Sequence, residues 1–289
     1  MYPVQGFLLW ILMGLFRLLP LDTASALGGW IGRTIGPMLG VSKRCARHLN
    51  YAFPDMNESD KKKIVLGMWD NLGRVIAEYP HLKQIGAERL QIRNEDIITH
   101  ALADGTGGIF FSAHIGNWET HVPGMLARYG ITAALTYRAL NNPYADKILE
   151  RLRTLNGAIK AFPKTRESGK LLIGELKQKN FLAILVDQKY NEGISASFFG
   201  RPAMTNPVFV HLAQKYKCPL IPVQCRRIKG AHFEITAYPP LSLVDNHGNN
   251  LPTETVASAA NQCIENWIRE TPEQWLWLHR RWDSASLKK

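Results

Sequence analysis

From residue 107 onward the chain alternates between short apolar runs and amphipathic segments with helical spacing. The run FLAILVD at 181–187 has the strongest strand character, and the segments between such runs are about 10–15 residues long. Strands bracketed by helices of this length are typical of a largely parallel sheet with helices on both faces. Predicted strands cover 107–113, 131–137, 158–162, 181–187, 219–228 and 231–243, and predicted helices cover 117–130, 142–157, 168–180, 206–218 and 253–270. The sequence therefore predicts an α/β fold with a mixed, mostly parallel sheet whose last two strands form an antiparallel hairpin.

The amino terminus is almost wholly apolar over residues 6–20, which read GFLLWILMGLFRLLP. This segment is shorter than the roughly 20 residues of a membrane-spanning helix. No positive charge precedes it, as a signal peptide would require, although Ala-Ser-Ala at 24–26 resembles a cleavage site. We favour an uncleaved helix that inserts into or lies on a membrane over a buried helix of a soluble core. Basic residues that could meet anionic headgroups follow it, namely Arg33, Lys43, Arg44 and Arg47.

The organisation before residue 107 is helical. Glycines at 28, 29, 32 and 36 leave one face of segment 26–39 without bulky side chains, which predicts close helix packing. Residues 57–80 are predicted to form an amphipathic helix that Asn57 or Ser59 caps and Pro80 ends. We divide the chain into an N-terminal hydrophobic, membrane-associating helical segment, residues 1–50, and an α/β domain, residues 51–289.

Charge and cysteine content restrict the class of protein. With 35 Lys and Arg against 24 Asp and Glu, the formal net charge is +11. Such a balance fits nucleic acid, an anionic membrane face or an acidic carrier protein as partner, or a solubility charge with no partner. The four cysteines show no C-x-x-C spacing, which argues against a disulfide framework or structural zinc site and fits a reducing compartment.

The stretch FSAHIGNWET at 111–120 carries the most chemical information. His114 follows a predicted strand, Asn117 is a good helix cap, and Glu119 falls in the first helical turn, where its charge suits the helix dipole. Ligand sites in such folds lie at the carboxyl ends of strands. We expect the Glu119 carboxylate to reach one imidazole nitrogen of His114, leaving the other free to accept a proton from a hydroxyl.

Three interpretations of this pair compete. A base with its orienting acid favours direct acyl transfer from a thioester to a hydroxyl, since the chain lacks the G-x-S-x-G motif of serine acyl-enzymes and the glycine-rich motifs of nucleotide sites. A metal site with Glu119 and His121 is disfavoured, because side chains two apart on a helix diverge. A hydrogen-bonded turn histidine is the third.

Further motifs decide between them, because HIGNWE resembles the H-x-x-x-x-E motif of the bacterial lipid A biosynthesis acyltransferases, the late lauroyl and myristoyl transferases. Phosphatidylinositol mannoside acyltransferases share that motif within the same superfamily. Three more blocks follow in family-like order: TYRALNNPYADKILERLRTLNG (136–157), LVDQKYNEGISASFFGRPAMTNP (185–207) and TPEQWLWLHRRW (271–282).

The resemblance implies a glycerolipid-acyltransferase-like fold at the cytoplasmic face of the bacterial inner membrane. It implies transfer of a fatty acyl chain from the phosphopantetheine thioester of acyl carrier protein to a hydroxyl of a lipid A precursor, with no resident cofactor and no metal. Carried over by motif, His114 is the general base and Glu119 its orienting carboxylate. An acidic carrier protein and a phosphorylated glycolipid would both explain the net charge of +11 without nucleic acid.

Substrate-binding roles are expected for Asn117, Arg138, Arg151, Asp187 and Gln188. Asn117 serves more as the cap that places Glu119, and Arg138 could bind an acceptor phosphate or stabilise the thioester oxyanion. Arg151 and Arg153 lie on the same predicted helix, whose basic face either contacts a phosphate or the carrier protein or is only solvated. Asp187 and Gln188 could position substrate, support His114 or only hold the loop. Near the carboxyl terminus, Trp275, Trp277, Trp282 and two arginines fit either a membrane interface or ordinary packing.

Two alternatives to the lipid A reaction stay open from the sequence. An enzyme of the same class would acylate another membrane glycolipid, such as a phosphatidylinositol mannoside. A protein of a different class would be a non-catalytic membrane lipid-binding or carrier-binding protein that kept the fold. The His114/Glu119 pair favours catalysis, because binding alone does not need a base.

Overall fold

A computed structural model describes residues 2–282 of the chain, so the last seven residues of the predicted 51–289 region lie outside the described part. The helices are α1 (Tyr2–Leu18), α2 (Leu21–Ile35), α3 (Ser42–Ala52), α4 (Glu58–Glu78), α5 (Leu82–Glu88), α6 (Glu95–Ala103), α7 (His121–Tyr129), α8 (Pro143–Arg153), α9 (Arg166–Lys177), α10 (Val208–Tyr216) and α11 (Thr253–Glu270). The strands are β1 (Leu90–Arg93), β2 (Gly108–Ser112), β3 (Ala133–Tyr137), β4 (Ala161–Pro163), β5 (Phe181–Leu185), β6 (Ile194–Phe198), β7 (Arg201–Thr205), β8 (Leu220–Lys229) and β9 (His232–Ala237).

Seven strands form one sheet in the order β1-β9-β8-β2-β5-β3-β4. Every neighbouring pair is parallel except β8 and β9, which form the expected antiparallel hairpin. β6 and β7 pair separately as an antiparallel hairpin. The predicted α/β class, with a mostly parallel sheet flanked by helices, is therefore confirmed.

Side chains from alternate positions of the central strands enter two different cores. On β2, Ile109 and Phe111 belong to the core beneath α10 and α11, whereas Phe110 belongs to the core beneath α6 and α7. This division follows from the two-residue period of a strand, which sends successive side chains to opposite faces. The whole of β2 is buried, so its sequence is a continuous apolar run rather than an alternating one.

Helices α2 and α4 pack closely against each other at glycine residues. A Cβ atom added to Gly73 of α4 would collide with the backbone carbonyl of Gly28 in α2, and one added to Gly32 would collide with that of Trp69. The close packing predicted from the glycines of segment 26–39 is thus confirmed. Asn57 caps α4 by accepting a hydrogen bond from the Asp60 amide, and the predicted boundary between residues 50 and 51 falls near the end of α3.

Helix α1 lies along the body of the protein. Its Gly6 packs against Tyr144 of α8, Met13 and Phe16 are buried, and much of its remaining surface is apolar and exposed. Within residues 2–282, no helix combines the length and the apolar character that crossing a bilayer requires.

Several predicted elements differ from the structure: the helix predicted at 117–130 begins at His121, and the strand predicted at 231–243 ends at Ala237. The strand predicted at 158–162 begins at Ala161, because residues 154–159 form the turn that ends α8. The carboxyl-terminal aromatic segment contains only a short 3-10 turn at Pro272–Gln274. Its three tryptophans are buried in the core with Arg281, so packing explains them and a membrane interface does not.

Candidate active site

The site lies where four adjacent parallel strands end. His114 follows β2, Asp187 and Gln188 follow β5, Arg138 follows β3 and Lys164 follows β4. Because the carboxyl ends of parallel strands share one edge of the sheet, residues far apart in sequence meet there. A cavity of about 290 Å³ opens at this edge and extends beneath α7. Its lining includes His114, Glu119, Arg138 and Gln188.

The imidazole of His114 is held by Asp187. Its Nδ1 lies 2.8 Å from Oδ1 of Asp187, and its backbone amide donates to Oδ2 at 2.9 Å. The indole Nε1 of Trp275 also donates to Oδ2, at 2.8 Å. Burial alone would raise the pKa of Asp187, but the nearby His114 and its hydrogen bonds hold that pKa well below the ordinary value. An ionised carboxylate here fixes Nδ1 as the protonated nitrogen and leaves Nε2 as the basic one.

Glu119 does not take the position expected for it. No hydrogen bond joins its carboxylate to His114 among the described residues. Instead Arg153 forms a two-point ion pair with Glu119, at 2.7 Å and 2.8 Å. Tyr79 and the indole of Trp118 donate to the same carboxylate at 2.6 Å and 3.1 Å. The expectation that Glu119 orients the imidazole by a direct bond is therefore wrong, since Asp187, which follows β5, takes the position beside Nδ1.

The ion pair of Glu119 and Arg153 determines the ionisation of Glu119. Burial would raise the pKa of this carboxyl, yet the charge and hydrogen bonds of Arg153 lower it below its ordinary value. The guanidinium of Arg153 also lies 5.0 Å from the centre of the Tyr137 ring. Arg151, predicted as a substrate contact, is exposed on the same helix and is not part of the cavity wall among the described residues. The helix thus turns Arg153 inward and Arg151 toward solvent.

Asn117 lies beneath the site and is fully buried. Its side-chain oxygen accepts from the Glu119 amide at 3.1 Å, as expected of a cap, and its amide donates to Glu78 at 2.7 Å. Glu78 is in turn paired with Arg227 of β8. The consecutive residues Glu78 and Tyr79, at the end of α4 and just after it, thus bind Asn117 and Glu119 respectively.

Gln188 and His279 complete the polar end of the cavity. The amide nitrogen of Gln188 lies 3.3 Å from Nε2 of His114 and 3.2 Å from Nε2 of His279. The two imidazole rings are 4.6 Å apart. Burial lowers the pKa of His279 to about 3, and the positive form of His114 would lower it in the same direction. His279 is therefore neutral at physiological pH.

Metal-binding geometry is confined to the same residues within the described chain. One ligand atom each from His114, Asp187 and His279 lies within 4.8 Å of the others, a donor set that suits a divalent transition metal. A metal there would take up a ring nitrogen of His114 and leave that nitrogen unable to accept a proton. His121, weighed earlier as a ligand beside Glu119, instead donates from Nδ1 to the Trp118 carbonyl at 3.0 Å.

The sequence prediction missed several residues of the site. Tyr79, Lys164 and His279 all line the cavity, and Trp275 supports Asp187 from behind. Only His279 and Trp275 could have been found from the sequence, because both fall in the family-like carboxyl-terminal block 271–282. Tyr79 and Lys164 stand in segments whose local pattern indicates only the end of a helix and the end of a strand.

The chain as a whole is similar to known proteins. A family model described as bacterial lipid A biosynthesis acyltransferase matches residues 1–284. The chain is 24% identical over 290 residues to a lipid A biosynthesis acyltransferase of Haemophilus influenzae, covering 93% of this chain and 86% of that protein. It is 26% identical over 264 residues to the lipid A biosynthesis myristoyltransferase of Escherichia coli, covering 86% and 77%. With the lipid A biosynthesis lauroyltransferase of Escherichia coli the identity is 25% over 294 residues, covering 95% and 90%.

Proposed function

Since this chain belongs to the bacterial lipid A biosynthesis acyltransferase family, and is thus an acyltransferase, we propose that it moves a fatty acyl chain from acyl carrier protein to a hydroxyl of a lipid A precursor. The observation that carries the catalytic part is the 2.8 Å contact between Nδ1 of His114 and Asp187, which leaves Nε2 on the side of the apolar cavity. The proposal retains His114 as the base and gives the orienting role to Asp187.

The chemical step follows from this arrangement. Nε2 of His114 takes the proton of the acceptor hydroxyl as the hydroxyl oxygen attacks the thioester carbonyl carbon. When the tetrahedral intermediate collapses, the carbon–sulfur bond breaks and the imidazolium returns the proton to the thiolate. The Asp187 carboxylate stabilises the positive imidazolium between these two transfers. The acceptor hydroxyl takes the place beside Nε2 where the Gln188 amide now lies.

Glu119 contributes indirectly in this proposal. Its ion pair with Arg153 and its bond to the Trp118 indole hold the cavity wall next to His114, whose ring centre lies 5.2 Å from that of Trp118. The negative charge of Glu119 also favours a nearby imidazolium, because the two opposite charges attract in a partly desolvated site. Both effects depend on Arg153 keeping Glu119 ionised.

The cavity fits the acyl chain of the donor. Beyond the polar end its wall is aliphatic and aromatic, with contributions from β1, β2, α6 and α7 such as Ile92, Phe110, Ile98 and Met125. An alkyl chain in this space would be removed from water at a gain of about 0.8 kcal/mol per methylene. The thioester carbonyl would then lie at the polar end, beside His114.

Acyl carrier protein and a membrane are the partners that we propose. The net charge of +11 suits an acidic carrier and a phosphorylated acceptor. The exposed face of α1 includes Phe7, Leu8 and Trp10, and the exposed apolar surface continues on α2 with Trp30. Because α1 is held against α8, we propose that it lies in the plane of the inner membrane, at its cytoplasmic face.

Acyl transfer by the purified protein tests this function. Acyl carrier protein loaded with a fatty acid and a lipid A precursor are incubated with wild type and His114→Ala, and products are measured by mass spectrometry. We expect the variant to be slower by about 10²–10⁴-fold, the usual contribution of a general base, while His247→Ala, which changes an exposed loop histidine, stays at the wild-type rate. Near-wild-type transfer by folded His114→Ala would contradict the mechanism.

The acceptor is tested separately in cells. Lipid extracts from a strain that lacks this protein should contain lipid A that has lost one acyl chain. An unchanged lipid A together with loss of an acyl chain from a different glycolipid would favour the alternative acceptor.

A further inference from the structure

Two cations stand side by side at the mouth of the cavity. Arg138 and Lys164 are the first residues after the neighbouring parallel strands β3 and β4, in which Tyr137 pairs with Pro163. The Lys164 amide donates to the Tyr137 carbonyl at 2.8 Å, which continues this register to the two basic residues. Both side chains line the same cavity as His114.

The charges around the cavity do not balance without a ligand. Glu119 is paired with Arg153, which among the described residues leaves one carboxylate, that of Asp187, against the two cations Arg138 and Lys164. Within the described part of the chain, neither Arg138 nor Lys164 has a side-chain hydrogen bond or an ion pair with a carboxylate. Both side chains line the cavity and keep part of their surface open to solvent. The cavity therefore combines an apolar interior with a positively charged mouth, which matches an amphiphile that joins an apolar chain to an anionic group.

From this placement we propose that Arg138 and Lys164 bind a phosphate group of a substrate at the mouth of the cavity that His114 also lines, an inference that rests on the proposed function. Arg offers two parallel donors to phosphate oxygens, and Lys adds a compact charge. Two sources share this chemistry: the phosphodiester of the carrier's phosphopantetheine arm and a phosphate on the glycolipid acceptor. Lys164 is the new member of this site, and the sequence alone did not single it out.

The electrostatic coupling between the two residues is consistent with an anion between them. Loss of hydration lowers the pKa of Lys164, the Asp187 carboxylate raises it, and the charge of Arg138 lowers it. Two cations that repel each other gain from a shared phosphate, because the anion offsets the repulsion and adds hydrogen bonds.

Substrates that differ in one phosphate identify which group is bound. Initial rates are measured for wild type, Arg138→Gln, Lys164→Gln and the matched control Lys170→Gln, whose lysine is exposed on α9. The donors are acyl-phosphopantetheine and acyl-pantetheine, and the acceptors are a lipid A precursor with and without its phosphates. We expect each site variant to raise KM about 10-fold or more for one phosphorylated substrate, because a charged hydrogen bond is lost. We also expect its KM to differ less than that of wild type between this substrate and the phosphate-free form.

The pattern of changes decides the outcome. Lost discrimination between the two donors assigns the site to the phosphopantetheine phosphate, and lost discrimination between the two acceptors assigns it to the glycolipid phosphate. Either result supports the site. Unchanged KM and unchanged discrimination in both variants would overturn it, whereas lower kcat with unchanged KM would assign the residues to the oxyanion instead and also overturn it.

A binding measurement separates this inference from the proposed function. Titration calorimetry with inorganic pyrophosphate on the same proteins needs no turnover, and we expect the two site variants to bind it about 10-fold more weakly than wild type and Lys170→Gln. A wild-type protein that binds pyrophosphate through these residues but transfers no acyl chain would refute the function and keep the site. Equal binding by all four proteins, with normal acyl transfer, would refute the site and keep the function.

Discussion

Nδ1 of His114 lies 2.8 Å from Oδ1 of Asp187, although the two residues are 73 positions apart in sequence. The contact exists because β2 and β5 are neighbours in the sheet and pair in parallel, with Ser112 opposite Leu185. His114 and Asp187 thus each follow the same edge by two residues. The pairing of two strands, rather than the spacing within one motif, supplies the carboxylate for the imidazole.

Asp187→Asn should lower kcat strongly while leaving the fold intact. An amide of the same shape can still contact Trp275 and the His114 backbone, but it neither selects the Nδ1-protonated ring nor stabilises the imidazolium. We expect a fall of about 10²–10⁴-fold in kcat with little change in KM for either substrate. Steady-state kinetics measures both, and circular dichroism checks folding. A kcat within threefold of wild type would argue against Asp187 as the orienting group.

Glu119→Gln should affect stability as well as rate. The substitution leaves the Arg153 guanidinium, whose side chain is only 14% exposed, without its carboxylate partner. Breaking a buried ion pair from one side costs about 3–5 kcal/mol, so the free energy of unfolding in urea should fall by that order. The double variant Glu119→Gln/Arg153→Met should recover part of the loss, because no unpaired charge remains. If Glu119→Gln slowed transfer at unchanged stability, a direct role at His114 would be favoured over the supporting one.

Stability should decrease as the pH falls below about 6.5. His48 is buried, and its pKa is lowered by burial to about 4. Between pH 6.5 and about pH 4, His48 binds a proton in the unfolded chain but not in the folded chain. Its contribution to the free energy of unfolding is therefore fully present above this pH range and is lost as the pH falls through it. The contribution of His48 is on the order of 3 kcal/mol. Urea unfolding of His48→Leu should show a flatter slope between pH 7 and pH 4, whereas His247→Leu, at an exposed position, should match wild type.

Gly73→Ala should destabilise the packing of α2 against α4. The new Cβ would collide with the carbonyl of Gly28, and overpacking of this kind costs about 1–3 kcal/mol. Gly14→Ala in α1 is the matched control, because a Cβ there has no described neighbour within 4 Å. Thermal unfolding should give a lower Tm for Gly73→Ala, and an equal or higher Tm for the control through its better helix propensity. Equal Tm values for the two variants would contradict the close contact.

Replacing the exposed apolar face of α1 should weaken membrane binding. Leu8 and Trp10 are 59% and 61% exposed, so Leu8→Asp/Trp10→Asp removes apolar contact without opening the core. Cosedimentation with vesicles that contain anionic lipid should fall by about 10-fold or more. Leu171→Asp introduces one charge at an exposed position of α9 and should bind as wild type does. Unchanged sedimentation of the α1 variant would refute an in-plane role for this helix.

Local pattern was enough to predict most of the fold. The apolar runs at 107–113 and 181–187 became β2 and β5, and the helix predicted at 253–270 coincides with α11. Whether such a segment is a helix or a strand depends on the spacing of its apolar residues and on the residues at its ends, and both can be read from the sequence. The strand predicted at 158–162 was displaced, because three-residue β4 has too few positions to establish a period.

The sequence also determined which edge of the sheet carries chemistry, since His114, Arg138 and Asp187 each stand just after an apolar run. Tertiary structure alone decided their partners. Strand order brought Asp187 to His114, the rotation of α8 turned Arg153 instead of Arg151 toward Glu119, and β4 placed Lys164 beside Arg138. Hydrogen bonds and ion pairs act over about 3 Å, so they depend on which distant segments the fold makes neighbours, and a periodicity read along one segment contains no such distance.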